Sequence, residues 1–275
     1  MKAYLAKYPD THFTVLTLDN HVTQVYRQFN LPITVVTEPL DSNLDESFDE
    51  IFELGAGAAG QLADLVLRGE KKYLHIAQCF GRMMGVEVTD FRPTYRPVGQ
   101  LPLYDAFHTQ NAIFISPFSM SCTSRDKNRP GMPPNKMLPW TTWGLIIRQL
   151  RTFSLPIRCL GAKEDRAPML TLSEEEYYTG VPLNNVALAL QQCRMLVTVD
   201  NGMGHLAATL HRPMVVFYPM VLPVSFIGSV YNPRSVIIHV DPATTAPLNL
   251  YLSAKEGIDK CIERDAQISL EEKTR

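Results

Sequence analysis

The sequence predicts an α/β chain built around a parallel sheet, and three observations predict it. Five apolar runs, at Ala112 to Ile115, Ile157 to Leu160, Met195 to Val199, Met214 to Tyr218 and Val236 to Val240, are separated by helical or loop segments. Continuous rather than alternating apolar character is what a strand covered on both faces requires. Two of the intervening segments place Trp143, Ile146, Ile147 and Leu150, and Leu183, Val186, Ala187 and Leu190, on one face of a helix. That is the i, i+3, i+4, i+7 spacing of packing residues. The first part of the chain alternates as well, with a helix over Met1 to Tyr8, a strand over His12 to Leu18, a helix over Val22 to Phe29 and a strand over Ile33 to Val36.

Beyond these elements the N-terminal part reads less sharply. An acidic stretch holding Asp41, Asp45, Glu46, Asp49, Glu50 and Glu53 reads as a solvated helix face. Gly55 to Gly60 has the look of a phosphate loop, yet no apolar strand precedes it and small residues continue into the helix-like QLADLVLRG. A further helix-like segment runs from Lys71 to Met84, after which Pro93, Pro97 and Pro102 interrupt the pattern. This places a boundary between an N-terminal α/β domain, 1–110, and a C-terminal domain, 111–275. A helix over Leu250 to Ile268 closes the second.

Composition narrows the partners. With 26 basic against 28 acidic residues and a net charge of -2, the chain lacks the bias needed to track a phosphate backbone, so no nucleic acid is expected. Cys79, Cys122, Cys159, Cys193 and Cys261 are widely spaced, without the short pairs of a zinc site, and read as buried small hydrophobes in a reducing cytosol. No stretch reaches the roughly 18 apolar residues of a membrane span. A cytoplasmic protein is expected, with peripheral membrane contact open to it.

In an open parallel sheet the ligand crevice lies beyond the carboxyl ends of the strands, so chemistry is sought in the loops that follow the apolar runs. After Val199 the chain reads Asp200-Asn201-Gly202-Met203-Gly204-His205 and enters the helix start Leu206 to Leu210. Glycines admit close approach of a ligand to the backbone, and N–H groups at a helix start favour an anion. Asp200 can hold the loop by accepting N–H bonds, and His205 can donate to a phosphate oxygen. The same residues also fit a tight strand-to-helix turn with a capping Asn201 and a core-facing His205.

The loop after Ile115 carries Ser116, Ser119, Ser121, Thr123 and Ser124 and runs on to Lys136. Its hydroxyls and the lysine can meet phosphate and offset charge on a leaving diphosphate, or form a solvated Ser/Pro loop. After Leu160 comes Gly161-Ala162-Lys163-Glu164-Asp165-Arg166, where a carboxylate can accept both hydroxyls of a ribose, or simply belong to a charged turn. Three such loops at one sheet edge describe a nucleoside diphosphate site.

At this point the sequence resembles the ADP-heptose:lipopolysaccharide heptosyltransferase-like glycosyltransferases. The resemblance rests on VTVDNGMGHLAATLHRPMVVFYP (197–219), supported by IFISPFS (113–119), NKMLPWTTW (135–143) and CLGAKED (159–165). It implies two Rossmann-like domains facing across a cleft, the GT-B architecture, with a short N-terminal domain and a final helix returning toward the first domain. It also implies an inverting, metal-independent glycosyltransferase with no cofactor, a nucleoside-diphosphate sugar of the ADP-heptose kind as donor, and an unassigned acceptor. Carried over by position, Gly202, Met203, Gly204 and His205 contact the diphosphate, Ser119 and Lys136 the phosphate and sugar, and Glu164 the ribose. Ser116 and Asn201 belong to the same donor loops, and Asp200 orders the second of them.

Two departures are visible: Asn201 stands where the family usually has Thr, and roughly ten extra residues lengthen the loop before Lys136. The family's Gly-Asp segment, source of its general base, is not found, because KAYLAKYPDTHFTVLT resembles what usually follows it. Asp19 is the nearest positional substitute, although an Asp-Asn pair at a strand end more often caps a turn. The alternative reading is therefore a non-catalytic nucleotide-sugar-binding or assembly module. An epimerase on the same architecture is a third reading.

Overall fold

In a computed structural model the described residues are 1–17, 31–37, 49, 76–89, 95–119, 137–163, 165, 170–219, 232–241 and 245–274. The expected helix over 22–29, most of the acidic stretch, the 55–60 glycine segment, Asp19, Lys136 and Glu164 lie outside them. The chain divides into two compact units, one built on Met1–Arg96 and the other on Pro97–Leu222 with Ile227–Arg275.

In the first unit α1 (Lys2–Lys7) precedes β1 (Phe13–Thr17), which pairs in parallel with β2 (Ile33–Thr37) from Phe13↔Ile33 to Thr17↔Thr37. Helix α2 (Ile76–Met83) ends where Gly85 turns left-handed at φ 64°, with Val86 N–H donating to the Gly81 carbonyl at 2.8 Å. This six-residue closure is the one glycine makes at no steric cost. Tyr4, Met84 and Val86 form a small core that Phe13 packs against.

The second unit is a six-stranded parallel sheet. Helix α3 (Leu103–Thr109) leads into β3 (Ile113–Ser116), α4 (Trp140–Arg151), β4 (Ile157–Gly161), a 3₁₀ turn (Glu174–Glu176) and β5 (Tyr177–Thr179). Helix α5 (Leu183–Gln192), β6 (Met195–Val199), α6 (Gly202–Thr209), β7 (Met214–Pro219), β8 (Ser235–Val240) and α7 (Pro247–Thr274) complete it. The sheet order is β5-β4-β3-β6-β7-β8, every pair parallel. Side chains alternate between faces along each strand. Ile113, Ile115, Met195, Val197, Val215 and Phe217 meet Trp143, Ile146, Ile147 and Leu150 of α4 and Leu250, Ala254 and Ile258 of α7. Phe114, Leu196 and Val216 lie between them in sequence and are equally buried, so both faces are covered and the strands read as unbroken apolar runs.

The five expected strands are present, and a sixth, β5, was not anticipated. It is three residues long, lies at the sheet edge, and joins through Cys159↔Tyr177 to Gly161↔Thr179. The second unit also begins at Pro97, ahead of the boundary expected at 111. Its first helix is tied down by distant partners: Arg158 Nε donates to the His108 carbonyl at 2.9 Å, and Gln192 Nε2 to Thr109 Oγ1 at 2.7 Å. The Asn184 carboxamide pairs with both backbone groups of Val98, at 3.0 and 2.8 Å. Helix α7 lies along α4, β7 and β8 of its own unit. Among the described residues no helix is long and apolar enough to cross a membrane.

Candidate functional site

Counted in chain order, the six strands lie 3-2-1-4-5-6 across the sheet, so the connections reverse direction between β3 and β6. The crevice of such a sheet opens beyond the carboxyl ends of those two strands. Ser116 ends β3 opposite Thr198 of β6, and the two loops that follow meet there.

The β6 loop turns into α6 through Asn201, the N-cap, whose extended backbone (φ -153°, ψ 178°) lets its side chain fold back over the first turn. Its Oδ1 accepts from Gly204 N–H at 3.0 Å, satisfying one of the donors that a helix start leaves unpaired. Its Nδ2 donates to the Phe118 carbonyl at 2.8 Å and to Ser116 Oγ at 2.9 Å. The Thr198 hydroxyl completes the junction, lying 3.0 Å from the Ser116 carbonyl and 3.1 Å from Asn201 Oδ1. Of the two readings of this turn, the capping Asn201 is what the structure contains, whereas His205 is exposed and does not face the core.

Around the cap, Gly202 is exposed, and a Cβ added there would meet nothing within 4 Å. Gly204 is buried, and a Cβ on it would stand 3.3 Å from Thr198 Cγ2. Gly204 therefore serves packing, while Gly202 has no packing reason to be glycine. The N–H groups of Gly202 and Met203 meet no acceptor among the described residues. At the start of a helix they carry the positive end of its dipole.

Asp200 is 8% exposed, and its Oδ1 lies 3.6 Å from His205 Nε2. Tyr218, at the end of β7, is fully buried, and burial, with the Asp200 carboxylate adding to it, pushes its phenol well above the ordinary tyrosine range. It stays a neutral hydroxyl on the Asp200 side of the site. In the sequence it reads only as the last apolar residue of a strand.

The third loop docks onto the first. A Cβ on Gly161 would stand 2.8 Å from Asp165 Oδ2 and 3.0 Å from the Phe118 ring, so only glycine fits where β4 ends. Asp165 Oδ2 accepts from Ala162 N–H at 2.7 Å and closes the turn. The Phe118 ring rests 5.8 Å from that of Trp140, at the start of α4. Ser116 and Ser119 are 2% and 5% exposed. The structure thus joins Ser116, Ser119, Asn201 and the start of α6 at one sheet edge. This arrangement offers an anion two backbone N–H groups and an imidazole, set over a buried polar junction.

Residues 130–248 match glycosyltransferase family 9 (heptosyltransferase). No curated protein matches the sequence. The fold is similar to that of E. coli ADP-heptose LPS heptosyltransferase II, at 15% identity and a TM-score of 0.61, with 96% of this chain and 93% of that one covered. It is similar also to a glycosyl transferase family 9 protein from Veillonella parvula, at 15% identity and a TM-score of 0.60, covering 94% and 90%. E. coli heptosyltransferase WaaC, solved with ADP, is 15% identical with a TM-score of 0.53, covering 95% and 93%. The resemblance carried by residues 197–219 is borne out by the family match over residues 130–248, and the fold is similar to that of GT-B-type heptosyltransferases.

Proposed function

We propose that the chain transfers a sugar from a nucleoside-diphosphate sugar to an acceptor hydroxyl, with inversion and without a metal ion. The observation that carries this reading is the start of α6: at the reversal point of the sheet, Gly202 leaves open space beside two N–H groups that meet no acceptor among the described residues. A diphosphate needs that combination of positive potential and close backbone approach.

In the transfer, the acceptor oxygen forms a bond to the anomeric carbon as the bond from that carbon to the diphosphate breaks. The leaving nucleoside diphosphate keeps the electron pair, and a base takes the acceptor proton. Charge grows on the leaving phosphate, where the Gly202 and Met203 N–H groups stabilise it. His205 donates to the same phosphate, oriented by Asp200 at 3.6 Å. Lys136 and Ser119 serve phosphate and sugar, and Glu164 the ribose. A donor of the ADP-heptose kind is supported by the ADP-heptose and ADP named for the similar heptosyltransferases. On this reading the first unit takes the acceptor.

Calorimetric titration with a panel of nucleoside diphosphates and their sugars tests this, comparing wild type with Gly202→Ala and Lys136→Ala. Binding of one nucleotide, weakened by both substitutions and followed by donor turnover, is the expected result. No binding across the panel would overturn the reading.

A further inference from the structure

We infer that Asn201 is a positioning residue whose carboxamide, spent entirely on protein groups, sets the β3 loop and the α6 start in the one register that binds the diphosphate. The inference rests on the donor-site reading above and goes beyond it, because it removes Asn201 from the ligand-contacting set and gives it, with Ser116 as partner, a different task.

The hydrogen bonds fix the orientation of the amide. Gly204 N–H can only donate, so the oxygen faces it at 3.0 Å; the Phe118 and Ser116 carbonyls can only accept, so the nitrogen faces them at 2.8 and 3.2 Å. Two N–H hydrogens then serve the Phe118 carbonyl, Ser116 Oγ and the Ser116 carbonyl. No donor is left for a ligand. Capping and bridging thus come from opposite ends of one planar group, which couples the angle at which α6 starts to the position of the loop that carries Ser119.

A hydroxyl residue can perform only half of this. Thr or Ser at 201 can cap Gly204 N–H through oxygen, but a single O–H cannot replace two N–H donors directed at Phe118 and Ser116. A helix start in this chain would keep its cap and lose its tie to β3. Phe118 reports on that tie, since its carbonyl is the closest acceptor of the bridge and its ring lies against Trp140. The chain has two tryptophans, and the other, Trp143, is fully buried in the core.

The test uses the full chain as wild type, Asn201→Thr, Ser116→Ala and the double variant. Affinity is measured by titration with the nucleoside diphosphate that wild type binds best from a panel of ADP, UDP and GDP, and tryptophan emission is recorded without nucleotide. For Asn201→Thr we expect at least tenfold weaker binding and a red-shifted emission as the β3 loop leaves Trp140, with α6 still capped and the protein folded. Ser116→Ala should weaken binding less, and adding it to Asn201→Thr should cost little more, since the bridge is already gone. Wild type binding a nucleotide while Asn201→Thr binds it within twofold, emission unchanged, would overturn the positioning role and leave the donor site standing. A wild type that binds none of the panel would overturn both.

Discussion

One carboxylate oxygen of Asp265, on α7, accepts a hydrogen bond from the Arg194 guanidinium, just ahead of β6, at 3.2 Å. Its other oxygen accepts from Arg234, just ahead of β8, and Arg234 also reaches Glu272 at 2.6 Å. Asp265 is 7% exposed, so its removal leaves the largely buried Arg234 guanidinium, and the more exposed Arg194, with less counter-charge. Asp265→Ala should cost about 3 kcal/mol, the scale for breaking a buried ion pair from one side. Asp265→Asn, which keeps the shape and an acceptor, should cost about half as much. Urea unfolding measures both. The cluster lies at the starting ends of the strands, so nucleotide affinity should stay at wild type in whatever fraction folds.

Gly202 and Gly204 separate ligand binding from packing. At the first helical position Gly202→Ala meets open space and gains helix propensity, so stability should hold or rise by up to ~1 kcal/mol, while nucleotide affinity falls as the methyl enters the phosphate position. Gly204→Val places branched carbons against Thr198, 3.3 Å from where Cβ would stand, and should lower both stability and affinity. If Gly202→Ala binds nucleotide as wild type does, the diphosphate does not sit at this turn.

How much of this was legible in the sequence depended on how local the cause was. The central strands were visible because burial on both faces forces continuous apolar runs. Strand β5 was not, since three residues at an edge, Tyr177 to Thr179, of which only Tyr178 is buried, carry no such run. Helix α3 was read as a boundary because Pro97 and Pro102 interrupt the pattern, while what holds it, Arg158 on His108 and Gln192 on Thr109, comes from 50 and 83 residues away. The turn at 200–205 was readable as strand, glycine loop and helix start. Its capping Asn201 was readable too, as one of two alternatives. The second half of that residue's work, its bond to Phe118, spans 83 positions and has no sequence signal.

His205 tests the chemistry apart from the fold. The ring is 46% exposed, so His205→Ala should change stability by no more than about 0.5 kcal/mol. If its N–H stabilises the leaving phosphate, kcat/KM for donor turnover should fall by roughly a hundredfold, the scale of one lost transition-state donor. His205→Gln, which keeps an N–H donor, should recover part of this. Equal rates for His205→Ala and wild type would leave the α6 N–H groups to carry the leaving charge without it.

Stability should decline on the alkaline side, and the buried thiols set where. Cys193 and Cys261 are free and buried, and burial raises them from an ordinary 9.0 to about 11 and about 12. For Cys193 the nearby Arg212 offsets part of that rise. Above pH 9 the unfolded chain gives up these protons first, so it binds fewer protons than the folded one and stability falls as pH rises toward the folded values. Each thiol should contribute a slope approaching ~1.4 kcal/mol per pH unit in that window. Below it the thiol contribution is fully present and flat. Tyr95, raised by burial to about 12, adds to the loss above roughly pH 10. Urea midpoints at pH 7.5, 8.5, 9.5 and 10 should therefore stay level and then drop. Cys193→Ala/Cys261→Ala should start lower, because two small cavities open, and should show a shallower drop between pH 9 and 10. A wild-type midpoint unchanged from pH 7.5 to 10 would mean that these thiols reach solvent, and native-state reaction with a thiol reagent would then be fast where burial requires it to be slow.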